Sequence, residues 1–121
     1  MTFFKSLMKY IATAKQSLVI SSPRLYRVTN NKLVSLLKEQ SANGVEVAIV
    51  TAINDEQYEF LQSTGLLITN KPKLRLCTII IDKSLVWYGS VNALGYNSDK
   101  DNIIKMKDKK LADEILGIVL N

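Results

Sequence analysis

The sequence predicts an α/β layered domain, a mixed β-sheet flanked by helices, and two observations carry that prediction. Strand-like and helix-like segments alternate from the N-terminus to Gly65. A hairpin-like pair of apolar runs then follows, turning at Asp82-Lys83. Strand–helix–strand–helix order followed by a hairpin builds layers around a mixed sheet.

Phe3, Phe4, Leu7, Met8 and Ile11 recur at helical spacing, which predicts an amphipathic helix over residues 2–16 with the Phe pair in the core. Leu18-Val19-Ile20 reads as a short apolar strand closed by Ser21-Ser22-Pro23, because proline cannot donate a ladder hydrogen bond. Leu33, Leu36 and Leu37 mark a helix over 31–42, ended by Asn43-Gly44. The β-branched run 45–51 is the next strand, and Asp55 opens a helical segment, 55–64, ending at Gly65. A short strand at 66–68 is broken by Lys71-Pro72-Lys73. Residues 74–82 and 84–88 form the hairpin, residues 102–106 another strand, and residues 109–120 the closing helix with Leu111, Ile115 and Ile118/Val119 inward.

At 121 residues the chain is expected to form one domain over 1–121. Met1 at the start of the first helix is compatible with a whole gene product or a piece of a larger one. With 47% hydrophobic and 22% charged residues the composition is globular rather than disordered. No apolar run reaches the roughly 18 residues of a membrane span, and no secretory signal is evident. One cysteine excludes an internal disulfide, and the lack of any histidine argues against zinc, so no cofactor or metal is expected. The expectation is a cytoplasmic protein of a bacterium or phage. The net charge of +5 is spread along the chain, which favours polyanions such as DNA or RNA over acidic proteins.

The most informative stretch is Asp82-Lys-Ser-Leu-Val-Trp-Tyr-Gly89-Ser90-Val-Asn92. A glycine there lets backbone approach a ligand, while a hydroxyl and an amide can bond phosphate oxygens. The bland alternative is a plain turn. The spacing from Asp82 to Gly-Ser-x-Asn resembles the second half of the phospholipase D superfamily signature. In that family His-x-Lys and four residues precede the aspartate, which puts Arg75 at the histidine position and Cys77 at the lysine position. Ser22-Pro23, Gly44-Val45-Glu46-Val47 and Asp101 before Ile103-Ile104 extend the resemblance, which is nearest to modules attached to bacterial helicases and nucleases.

In active relatives two copies of the motif meet; one histidine attacks phosphorus and the other protonates the leaving group. Arginine stays protonated and can do neither, yet it binds phosphate well. The resemblance therefore implies a vestigial site of Arg75, Cys77, Asp82, Ser90, Asn92 and Asp101, with no catalytic residue. Arg75, Gly89, Ser90, Asn92, Arg24 and Arg27 are the expected ligand contacts, with Tyr26 as aromatic support, while Asp82 orients its neighbours. Strand alternation places Arg75 and Cys77 on one face, where the cation would favour a Cys77 thiolate. A small buried filler is the commoner fate of such a cysteine, and no base is at hand. Trp87 is expected in the core rather than under a base. The leading expectation is an accessory module that binds DNA, RNA or another phosphate-bearing ligand. The alternatives are a vestigial dimerisation or protein-contact domain, as a homodimer or within a helicase or nuclease assembly, and an enzyme that borrows a histidine from a partner.

Overall fold

The computed structural model describes residues 2–97 and 100–121, apart from the side chains of Thr2 and Phe3. The core placement expected of Phe3 lies outside the described residues. In chain order the elements are α1 (Thr2–Ala12), β1 (Ser17–Ser21), α2 (Lys32–Ala42), β2 (Glu46–Thr51), α3 (Glu56–Ser63), β3 (Leu67–Asn70), β4 (Cys77–Ile81), β5 (Leu85–Gly89), β6 (Ile103–Lys107) and α4 (Lys109–Leu120).

Six strands form one sheet in the order β3-β2-β1-β4-β5-β6. β1, β2 and β3 run parallel, whereas β4 lies antiparallel to β1 and begins an antiparallel meander through β5 and β6. The sheet is therefore mixed, with its reversal between β1 and β4. Alternation along the central strands separates two apolar layers. Leu18, Ile20, Ile49, Ile79, Ile81 and Trp87 pack with Leu7, Ile11, Leu37 and Leu61 from α1, α2 and α3. Val19, Val50, Ile80 and Val86 face the other way onto Ala112, Ile115 and Val119 of α4. No helix among the described residues is long and apolar enough to cross a membrane.

Three helices begin at side-chain caps. Asn31 accepts from the amides of Leu33 and Val34, Asp55 from Gln57 and Tyr58, and Asp108 from Leu111. Each cap satisfies amides that the helix cannot pair itself.

The first helix is shorter than its apolar spacing predicts. Thr13 and Ala14 close onto the carbonyls of Tyr10 and Ile11, a tightened last turn. Buried Gln40 of α2 donates to the carbonyls of Ile11 (2.7 Å) and Ala14 (3.4 Å), so the helix end is satisfied from its neighbour. The Asp82 carboxylate then claims the next amides, from Lys15 (3.0 and 3.1 Å), Gln16 (2.7 Å) and Ser17 (3.2 Å).

Asp82 and Lys83 both take positive φ, +53° and +56°, and Ser84 donates back to the Ile81 carbonyl at 3.1 Å. The two positive φ values are those of a type I′ turn over Ile81–Ser84, set in a three-residue connection, 82–84, between paired Ile81 and Leu85. Asp82 is thus the first residue of a turn, with its side chain bent onto the α1–β1 connection. A carboxylate accepting from backbone amides is worth more than a neutral hydrogen bond, about 1.5–3 kcal/mol. Asp82→Ala should lower the unfolding free energy in urea by roughly 2 kcal/mol, and Asp82→Asn, which keeps one acceptor oxygen, by less. An Asp82→Ala protein as stable as the parent would contradict this role.

Candidate functional site: a cationic cleft at the sheet end

The antiparallel entry of β4 sets the site. Ligands of α/β sheets collect outside the carboxyl ends of parallel strands. Here the carboxyl ends of β1 and β2 are joined by the amino end of β4 and the carboxyl end of β5. The resulting cleft, about 840 Å³, is lined among others by Arg24, Arg75, Cys77, Gly89, Ser90, Asn92, Tyr96 and Asp101.

Ser21 ends β1 and locks this junction. Its buried hydroxyl lies 2.6 Å from the Thr78 hydroxyl, donates to the Leu76 carbonyl at 2.9 Å and accepts the Thr78 amide at 3.0 Å. Beyond it the Ser22 amide bonds the Val50 carbonyl of β2 at 2.9 Å. The pairing of β4 with β1 ends at Ser21↔Thr78 and that with β5 at Cys77↔Gly89, so the ladder expected from 74 starts at Cys77. The side-chain alternation still persists: Leu74 and Leu76 pack towards α4, while Arg75 and Cys77 both line the cleft. Arg75 is exposed, and one guanidinium nitrogen donates to the Leu74 carbonyl at 3.1 Å.

Elsewhere along the cleft, backbone and side chains brace one another. Buried Ser22 donates to the Arg24 carbonyl (2.7 Å) and accepts the Leu94 amide (3.2 Å). Asn92 accepts the Arg24 amide through Oδ1 at 3.0 Å, which leaves its Nδ2 without a partner among the described residues. Ser90 accepts the Asn102 amide at 3.1 Å through Oγ, so its own hydroxyl hydrogen remains available. The site therefore offers two guanidiniums, an amide nitrogen and a hydroxyl, all hydrogen-bond donors of the kind that phosphate oxygens take. Asp101 is the carboxylate among the lining residues, against two arginines.

Three sequence-derived residues behave differently. Asp82 is absent from the cleft: β4 separates them, five residues or about 17 Å of strand. The reason is the hairpin, which needs Asp82 at its turn. Arg27 does not line the cleft either; its guanidinium carbon lies 5.1 Å from the centre of the Tyr26 ring. Gly89 does line it, but its lack of a side chain answers to a different neighbour. A Cβ there would come within 2.8 Å of the Ile103 Cα, so glycine is required by the approach of β6. Trp87 is buried, with its ring edge-on to Tyr10 at 5.7 Å between centroids, and takes no part in the cleft.

Residues 7–119 match the family model described as "Cardiolipin synthase, PLD-like domain". The chain belongs to the phospholipase D-like family. No curated protein sequence matches it. Among solved structures, it resembles Nuc from Salmonella typhimurium, a phospholipase D family member, with TM-score 0.73, 19% identity, and coverage of 97% of this chain and 84% of that one. NucT from Helicobacter pylori superposes with TM-score 0.69 at 18% identity, again over 97% and 84%. TrmBL2, an archaeal chromatin protein whose structure shows a novel mode of DNA binding, gives TM-score 0.69 at 12% identity over 96% of this chain and 46% of its own. At these identities the likeness establishes a shared phospholipase D-like fold.

Within that fold, Cys77 is buried, and its surroundings set the state of its thiol. Burial pushes the thiol up from its usual range, Asp101 pushes it further, and Arg24 pulls it partly back. Burial outweighs the cation, and the cation that acts on it is Arg24 rather than Arg75. Cys77 is held as a neutral thiol near pH 7, the opposite of an activated nucleophile. Alkylation of the native protein by iodoacetamide should be slow at neutral pH and rise later into the alkaline range than for a free cysteine. Asp101→Asn should bring that rise to lower pH and Arg24→Ala delay it, because the first removes a repelling charge and the second an attracting one. Rapid labelling at pH 7 would contradict the buried, neutral thiol.

Proposed function

We propose that this phospholipase D-like domain is catalytically degenerate and uses its cleft to bind the phosphates of a nucleic acid, acting as an accessory or targeting module. The observation that carries the reading is the donor set of Arg24, Arg75, Ser90 and Asn92 around one cleft, in a chain with no histidine. Transfer of a phosphodiester through a covalent enzyme intermediate needs a nucleophile and a group that exchanges a proton near neutral pH. Arg75 supplies neither, and Cys77 is a raised, buried thiol.

Binding is a different matter. A guanidinium fork engages two phosphate oxygens at once, and Ser90 and Asn92 add neutral donors to the same cleft. A net charge of +5 adds long-range attraction for a polyanion. The chromatin protein with the same fold, whose structure shows a novel mode of DNA binding, supports nucleic acid as the phosphate-bearing ligand. An accessory role beside a helicase or an active nuclease follows from recognition without chemistry.

Fluorescence anisotropy with a labelled oligonucleotide, repeated across salt concentrations, tests the proposal. Affinity should fall steeply with salt, by a slope of about −0.7 per phosphate neutralised on a single strand. Arg75→Ala should weaken binding roughly tenfold and flatten the salt slope by about one. The oligonucleotide should stay intact throughout. Absence of binding at low salt, or an Arg75→Ala protein that binds like the parent, would contradict the proposal.

A further inference from the structure

One exposed tyrosine lines the cleft and a second packs against it. Tyr96 lines the cleft itself and is 71% exposed, and Tyr26 beside it is 45% exposed. Their rings meet edge to face, 5.6 Å between centroids at 82°. Tyr96 at this exposure buries little apolar surface, so packing within the domain does not account for its place here.

The chain holds them in place. Asn97 bridges the loop that carries Tyr96, accepting the Asn92 amide and donating to the Asn92 carbonyl, each at 2.8 Å. Gly95 lets that loop press on the next one: a Cβ there would sit 2.7 Å from Asn92 Cβ and 3.0 Å from the Arg24 carbonyl oxygen. The Tyr26 amide donates to the Leu94 carbonyl at 2.8 Å, which ties the second ring to the same loop. Arg27 covers the Tyr26 ring, so Tyr96 is the freer surface. The same Asn92 that offers Nδ2 to the cleft thus anchors the platform next to it.

We infer that Tyr96, backed by Tyr26, is a base-stacking platform that gives the cleft a preference for single-stranded over duplex nucleic acid. The inference rests on the anion-binding reading above and adds to it a ligand class and a residue. Phosphates held by Arg24 and Arg75 bring the adjoining nucleotide against Tyr96. An unpaired base can lay its face on the ring, whereas a base inside a duplex already spends both faces on its neighbours. Stacking of this kind tolerates any base sequence. A platform fixed in the free protein binds with little ordering cost.

The test compares three labelled ligands of equal length by anisotropy: a single strand, its duplex, and an abasic strand with the same phosphates. The single strand should bind best. Tyr96→Ala should weaken it about tenfold, the worth of one stacked base, while leaving the abasic strand within about twofold. Tyr96→Phe should retain the preference, and Tyr96→Leu, which keeps apolar bulk without a π-face, should lose it. Equal binding of single and abasic strands, tighter binding of duplex, or a Tyr96→Ala protein unchanged towards the single strand would overturn the platform and leave the anion-binding reading standing. Failure to bind any of the three would remove both.

Discussion

The antiparallel pairing of β4 with β1 is the constraint on which the rest of the structure depends. β1 could have continued the parallel set of β2 and β3 on its other side, but β4 runs against it in register from Leu18↔Ile81 to Ser21↔Thr78. Ser21 and Thr78 close that register with hydroxyl bonds inside the protein, where an unsatisfied partner would cost about 1–3 kcal/mol. One reversal has two consequences. It delivers Arg75, Cys77 and the Gly89–Asn92 turn to the carboxyl ends of the parallel strands, and it sends the β4–β5 hairpin to the opposite end of the sheet. A cleft of donors and a buttress for the first helix arise from the same pairing.

The stretch from Asp82 to Asn92, continuous in sequence, therefore serves two separate ends of the molecule. Asp82 collects three backbone amides of the α1–β1 connection, and nothing in that task involves a ligand. Gly89 answers to β6. Ser90 and Asn92 are the members that face the cleft, and each already spends one acceptor on the backbone that shapes it. At the amino end of β4, Arg75 is exposed and Cys77 is a small buried side chain.

The elements and their order were legible in the sequence because they follow local rules, such as apolar spacing, Asp55 as a cap and the Asp82-Lys83 turn, but two boundaries were not: α1 stops at Ala12 and β4 starts at Cys77, where neighbouring elements decide. Strand order within the sheet was not legible either, since alternation tells which face a residue takes and not which strand lies beside it. For the same reason Arg75 and Cys77 could be placed on one face, but the cation acting on the thiol comes from Arg24, across the chain. Asp82 was read through its motif, and a motif carries spacing without saying that the strand between its parts separates them. Tyr96 was missed altogether. Its only local signal is an aromatic residue within Gly95-Tyr96-Asn97, a run of turn formers, where no core would take it.

The central claim is that this cleft recognises phosphate and performs no chemistry on it. A heteronuclear NMR titration of the protein with a short single-stranded oligonucleotide, followed by phosphorus NMR of the same sample, tests both halves at once. The account predicts amide shifts gathered at Arg24, Arg75–Cys77 and Gly89–Asn92, quiet amides around Asp82, and unchanged phosphodiester signals after prolonged incubation. Shifts centred on the hairpin end of the sheet, or the growth of a phosphomonoester signal, would contradict it.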